Sequence, residues 1–179
     1  MEVSSKNKEK ILSKCASLGK TSKVYGIVDG QSPHIVHIGE YVVVGGGSLI
    51  ITHGPVRLYY EDPSIHIEDL VWIGFHCYIL PGVRLGRGSL IGTASVVTHS
   101  TEPFSIYGGN PAKFIKNRED KEIIRSFVVR WLMNEVLGNI QENNINWRLL
   151  KERHIDYLFP DGRYNGMSPK QVLKKVGLK

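Results

Sequence analysis

The stretch Ile67–Thr98 reads IEDLVWIGFHCYILPGVRLGRGSLIGTASVVT, and its period decides the fold. An aliphatic residue opens every block of six: Ile67, Ile73, Ile79, Leu85, Ile91 and Val97. Glycine follows in three blocks (Gly74, Gly86, Gly92), and small or medium residues (Val71, Cys77, Val83, Ser89, Ser95) take the fifth place. A helix repeats every 3.6 residues and a half-buried strand every two, so neither explains a period of six. A parallel β-helix does. Each block forms one short side of a triangular coil, and its opening aliphatic points into a shared core. Glycine in the second place fits a turn that a Cβ would obstruct.

Working back toward the N-terminus, an earlier set keeps the same period: Ile38, Val44 and Ile50, thinned by Gly45-Gly46-Gly47. The two sets give nine inner positions, each contributing about 1.5–3 kcal/mol when buried. The phase breaks between them, since Ile50 and Ile67 are 17 residues apart rather than 18. The intervening segment, Thr52 to His66, does not repeat. A solenoid accommodates insertions at its corners, and such loops carry function more often than the coils do. This one holds His53, Arg57, Tyr59, Tyr60, Glu61 and Asp62.

Outside the ladder the texture changes. Residues 6–18 are polar with a few apolar positions and predict a short helix ending near Gly19. After Thr98 the repeats stop, and SIYGGNPAKFIKNR (105–118) reads as a Gly/Pro turn leaving the solenoid and ending in basic residues. Residues 119–138 predict a helix, with Ile123, Ile124, Phe127, Val128, Trp131, Leu132 and Leu137 on one face. Glu119 and Asp120 suit its positive end, and Gly138 stops it. A weaker amphipathic stretch spans roughly 145–158, and from Pro160 onward no pattern decides an element. The organisation read from this is a lead-in (1–23), a β-helix (24–112) with an inserted loop (52–66), and a C-terminal helical extension (113–179).

Composition narrows the classes. A hydrophobic content of 41% is ordinary for a soluble globule. The 23 basic against 17 acidic side chains leave a net charge of +6, which suits an anionic ligand such as a polyphosphorylated cofactor. No Lys/Arg block is interleaved with aromatics, which argues against nucleic acid. Cys15 and Cys77 make neither a disulfide framework nor a zinc spacing, and Cys77 falls at an inward repeat position as a small core residue. The first residues are charged with no apolar run behind them, and no run reaches the length of a membrane span. The expectation is a cytoplasmic protein.

Trp72-Ile73-Gly74, Ile79-Leu80-Pro81-Gly82-Val83, Ile91-Gly92, Ser95-Val96-Val97-Thr98 and Gly108-Gly109-Asn110-Pro111-Ala112-Lys113 occur in that order. As an ordered set they resemble the hexapeptide-repeat acetyltransferases, in particular the xenobiotic branch and its sugar O-acetyltransferase relatives. Tyr25-Gly26 and the Trp-bearing helix after the basic turn fit the same pattern, so the likeness runs from about Val24 to Leu150. It implies a mainly β fold, a left-handed parallel β-helix with a short N-terminal helix and C-terminal helices. It also implies a homotrimer, acetyl-CoA as donor, no metal, and active sites between neighbouring subunits.

The resemblance places the catalytic histidine in the loop leaving the early coils, which here is His53. A neutral imidazole can take a proton from an acceptor hydroxyl as that oxygen attacks the thioester. A backbone N–H would hold the resulting oxyanion. Asp62 and Glu61, close in sequence, are candidates to orient the ring, as is a backbone carbonyl. The remaining histidines read as surface or turn residues (His34, His37, His66, His154) or as a groove residue (His76).

Carried over position by position, the cofactor groove would involve Trp72, Gly74, Phe75, Gly92, Thr93, Thr98 and His99. Lys113 and Lys116 would stand near the nucleotide phosphates. Phe75 and Thr93 stand where relatives have smaller residues, and His99 where they have Lys. Arg57, Tyr59, Tyr60 and Asp62 are candidates for the acceptor.

The loop after His53 is shorter than in the drug-modifying relatives, which suggests a different acceptor. The expectation is O-acetylation of a carbohydrate hydroxyl. N-acetylation of an amino sugar and acetylation of a chloramphenicol- or streptogramin-like antibiotic remain open. Of the rival classes, the γ-class carbonic anhydrases share the coil but need a histidine pair separated by four residues, which this chain lacks. A non-catalytic trimeric scaffold or sugar-binding module is the other.

Overall fold

The computed structural model describes residues 5–54, 61–135 and 150–178. They divide into two compact units, Met1–Asn117 and Arg118–Lys179. The first is a left-handed parallel β-helix, the coil its period predicts with the hand the resemblance implies. Its first face stacks β1 (Ser17–Leu18), β4 (Val36–Ile38), β7 (Ile65–Ile67) and β10 (Arg84–Leu85). The second stacks β2 (Lys23–Val24), β5 (Val43–Val44), β8 (Trp72–Ile73), β11 (Leu90–Ile91) and β13 (Ser105–Gly108), with β14 (Lys113–Asn117) folded back antiparallel on β13. The third stacks β3 (Ile27–Val28), β6 (Leu49–Ile50), β9 (Tyr78–Ile79) and β12 (Val96–Val97).

The register explains the period. Ile67 pairs with Leu85, Ile73 with Ile91 and Ile79 with Val97, so one coil there takes 18 residues, three blocks of six. All nine aliphatics expected to point inward are at most 1% exposed. The fifth-place residues Val71, Cys77, Val83, Ser89 and Ser95 line the same interior. Truncating one of them should show their weight. Ile73→Ala is expected to cost about 2–5 kcal/mol, read as a lowered midpoint in urea denaturation. Close stacking of coils requires the glycines at Gly45, Gly74 and Gly86, whereas a Cβ on Gly92 would make only ordinary contacts. A Cβ on Gly45 would meet the Gly74 carbonyl oxygen at 2.5 Å, and one on Gly74 the Thr93 nitrogen at 2.7 Å.

The β-helix reaches beyond both boundaries read from the sequence. The N-terminal helix α1 is shorter than expected, Ser5–Leu12, because Ser17 and Leu18 already pair with His37 and Ile38 as the first rung. At the other end β14 extends the second face to Asn117. The upper coils are wider than 18. Ile38 and Ile67 are partners 29 residues apart, and the excess forms the inserted loop at the corner between the third and first faces. The first coil also has a wide corner there, built from Asp29 to Ser32 and a single 3-10 turn at Pro33–Ile35.

The outward positions differ from face to face. On the first face they are Ser17, His37, His66 and Arg84, with the His37 and His66 rings stacked at 4.4 Å. On the second they are Lys23, Val43, Trp72, Leu90 and Ile106, apolar after the first rung, and on the third Ile27, Leu49, Tyr78 and Val96. The second and third faces therefore carry apolar columns that are half-buried or exposed.

In the second unit, α2 (Asp120–Glu135) buries Ile123, Ile124, Phe127 and Val128, as its pattern predicts. Trp131 and Leu132 lie on this helix, but their side chains, with Leu137 and Gly138, are outside the described residues. The weaker stretch is helical as α3 (Glu152–Leu158), and its His154 is buried against the Phe127 ring rather than at the surface. A further helix, α4 (Pro169–Lys175), starts from a capping box between Ser168 and Gln171. Asp120 accepts hydrogen bonds from Tyr164 Oη at 2.5 Å and Arg163 Nη1 at 2.9 Å, anchoring the start of α2 to the C-terminal segment.

Candidate active site

His53 stands at the mouth of the inserted loop, three residues past the inward Ile50 and 54% exposed through its side chain. Directly beneath, in the preceding coil, is Asp29. The pairing of Val28 with Ile50 brings Asp29 to the same corner, and its backbone N–H donates to the Ile50 carbonyl at 2.9 Å. The His53 Nδ1 is bonded to Asp29 Oδ2. The same oxygen accepts the Thr52 backbone N–H at 3.2 Å and the Thr52 hydroxyl at 3.1 Å. The other oxygen, Oδ1, accepts the Gln31 N–H at 3.1 Å in an Asx turn.

Burial alone would raise the Asp29 carboxyl, but the hydrogen bonds from His53, Gln31 and Thr52 outweigh it and hold the group below the usual carboxylate range. Asp29 is thus an anion at neutral pH, with His53 Nδ1–H as one of its donors. That tautomer leaves Nε2 with its lone pair, the arrangement a general base needs.

This corrects the expected orienting group. Asp62 is exposed and turned to its own loop, where its Oδ1 accepts the Ser64 N–H at 2.8 Å. Glu61 is exposed next to it. Proximity in sequence was the wrong guide, since stacked coils bring residues together at the length of a turn. The first coil is irregular, pairing Ile27 with Leu49 over 22 residues, so counting back by 18 from Ile51 would have landed on Pro33 instead of Asp29.

Of the groove positions, Trp72, Gly74, Phe75, Gly92 and Thr93 come together on adjacent coils. Trp72 pairs with Leu90, and the Ala94 N–H donates to the Phe75 carbonyl at 2.8 Å. Phe75 is 59% exposed at the corner between the second and third faces. Thr98 and His99 lie at the far end of the third face, joined by a 2.8 Å hydrogen bond between Oγ1 and Nδ1. Lys113 and Lys116 are exposed on β14. Arg57, Tyr59 and Tyr60 lie outside the described residues. No group of three or more metal-ligating side chains occurs among the described residues.

The chain is 47% identical to a chloramphenicol acetyltransferase of Klebsiella aerogenes over 120 residues, 52% of this chain and 57% of that protein. It is 45% identical to a "Probable macrolide acetyltransferase" of Lysinibacillus sphaericus over 104 residues, 55% of this chain and 57% of that one. Over its β-helix the chain is thus similar in sequence to bacterial acetyltransferases. The crystal structure of a hexapeptide-repeat-containing acetyltransferase from Vibrio cholerae shares the coil, with a TM-score of 0.50 and 24% identity over 67% of this chain and 84% of that one. No family model matches the chain. The chain spans little more than half the length of these two bacterial relatives.

Within one chain the two groups of candidate residues stand apart. His53 is at the corner between the third and first faces, whereas Phe75 and Thr93 are at the corner between the second and third. A face of six residues spans up to about 20 Å, well beyond hydrogen-bond reach.

Proposed function

We propose that the chain is an acetyl-CoA-dependent O-acetyltransferase acting on a carbohydrate hydroxyl, with His53 as general base. The His53–Asp29 pair carries this reading. Asp29 holds Nδ1–H, so Nε2 takes the acceptor proton as the hydroxyl oxygen attacks the acetyl carbonyl. The tetrahedral oxyanion collapses, the C–S bond breaks, and the thiolate of CoA takes the proton back from the imidazolium. Asp29 stabilises the imidazolium between the two transfers.

The working form is a homotrimer in which His53 of one copy faces the donor groove of the next. Two observations support it: the separation of the two corners, and the apolar outward columns on the second and third faces. Apolar surface of that extent marks an interaction site, and a second copy offers the matching faces. Lys113 and Lys116 would pair the nucleotide phosphates, and Phe75 and Thr93 would flank the pantetheine arm. Among the described residues no helix is long and apolar enough to cross a membrane; use of acetyl-CoA as donor supports a cytoplasmic enzyme.

A second reading, acetylation of an antibiotic hydroxyl, is favoured by the names of the 45–47% identical relatives. Against it, the first alignment spans 120 residues while using 52% of this 179-residue chain, so that relative has residues within the match that this chain lacks. A thiol-release assay with acetyl-CoA decides between the two, run across sugars, amino sugars, nucleotide sugars, chloramphenicol and macrolides. Turnover is expected with a sugar hydroxyl, and sedimentation is expected to give about three times the 20.1 kDa chain mass. Faster turnover of a drug would put the second reading in place of the first. No thiol release with any acceptor would leave a non-catalytic coil.

A further inference from the structure

We propose that Thr52 is a positioning residue whose hydroxyl fixes the Asp29 carboxylate toward His53; the proposal rests on the reading of His53 as the base. Thr52 stands two residues past the inward Ile50, so strand alternation turns it into the coil, and it is fully buried. The equivalent positions of the other rungs, two past Val28, Ile79 and Val97, hold Gly30, Pro81 and His99, so Thr52 alone places a side-chain hydroxyl there, and a β-branched aliphatic would fill the same space. The buried hydroxyl has to be satisfied there, and its partners belong to the catalytic corner. Oγ1 accepts the Ser32 N–H at 3.0 Å, and its single proton lies within reach of Asp29 Oδ2 at 3.1 Å and the Asp29 carbonyl at 3.3 Å.

The geometry makes Thr52 a clamp between successive coils. Its backbone N–H and its hydroxyl both reach the carboxylate oxygen that His53 also uses, while Gln31 holds the other oxygen. A carboxylate held on both oxygens cannot swing, so the imidazole has one direction in which its Nδ1–H is satisfied. The wide corner of the first coil, from Asp29 to Ser32, is tied to the second coil through the same side chain. Ring orientation at a general base matters steeply, since a displacement near 1 Å costs about 100-fold in rate.

The test compares Thr52→Val and Thr52→Ser with the wild-type chain, by steady-state kinetics and by the low-field proton resonance of a carboxylate-bound imidazole N–H. Thr52→Val keeps the shape without the hydroxyl. It is expected to lower kcat about 10- to 100-fold with KM for acetyl-CoA unchanged, and to lose or broaden the resonance. Thr52→Ser is expected to restore both. Should Thr52→Val not fold, Thr52→Ala gives the same reading at lower packing.

A Val variant with wild-type kcat and an intact resonance would overturn the proposal, as would a Ser variant that falls with it. The resonance needs no acetyl donor, so it tests the clamp even if His53→Ala leaves turnover unchanged and the function reading fails. Absence of the resonance in the wild-type chain would contradict the clamp directly.

Discussion

His53→Ala is expected to lower kcat for acetyl transfer by about 100- to 10,000-fold, the range over which a positioned general base acts. The residual rate would come from binding donor and acceptor side by side. The coil should be unaffected, because the imidazole is 54% exposed and the core beneath it is closed by Ile50 and Thr52. Circular dichroism and sedimentation should match the wild type, and KM for acetyl-CoA should stay close to its original value. A fall in kcat/KM carried wholly by KM would instead mark His53 as a binding residue.

Asp29→Asn is the more informative loss, with an expected drop in kcat of about 100-fold or more. Asparagine keeps the volume but supplies one acceptor oxygen where the structure uses two. Whichever way the amide turns, its NH2 meets a backbone or side-chain donor: Gln31 N–H on one side, Thr52 and His53 on the other. The relief is for the imidazole to take the opposite tautomer, accepting at Nδ1 and carrying the proton at Nε2, where it cannot serve as base. The imidazolium formed during turnover also loses its counter-charge.

The same residue predicts a pH effect on stability. The Asp29 carboxyl is lower in the folded chain than its ordinary value near 3.9, so its contribution is complete above that value. It is lost as pH falls through the lowered folded value, where the folded state must take up a proton at the cost of those hydrogen bonds. Urea midpoints measured from pH 7 to pH 2 should therefore fall more steeply below about pH 4 in the wild type than in Asp29→Asn.

The sequence made the coil readable because a single physical demand, one aliphatic inward per short side, leaves a mark every six residues. Ile67 to Val97 shows that mark without a gap, and each marked residue is buried. The first coil is harder to read, since Val28 follows Val24 after only four residues and Ile38 follows Val28 after ten, one corner tightened and the next widened. Hence the first rung at Ser17–Leu18 falls inside the expected lead-in, and nothing in the period singles out Asp29. His53 was visible only through the order of motifs around it, and its partner only through the register. The C-terminal unit shows the opposite case. Ser168-Pro169-Lys170-Gln171 is a legible helix start that an unpatterned tail concealed, whereas the Asp120–Tyr164 tie spans 44 residues and leaves no trace in composition.

The most direct measurement is a co-crystal structure of the chain with a non-hydrolysable acetyl-CoA analogue. The account predicts a trimer in which the thioester-equivalent atom, held against Phe75 and Thr93 of one copy, lies within hydrogen-bond reach of the acceptor position beside His53 Nε2 of the next. An analogue bound away from every His53 ring, or one copy binding it whole with no neighbour involved, would contradict it.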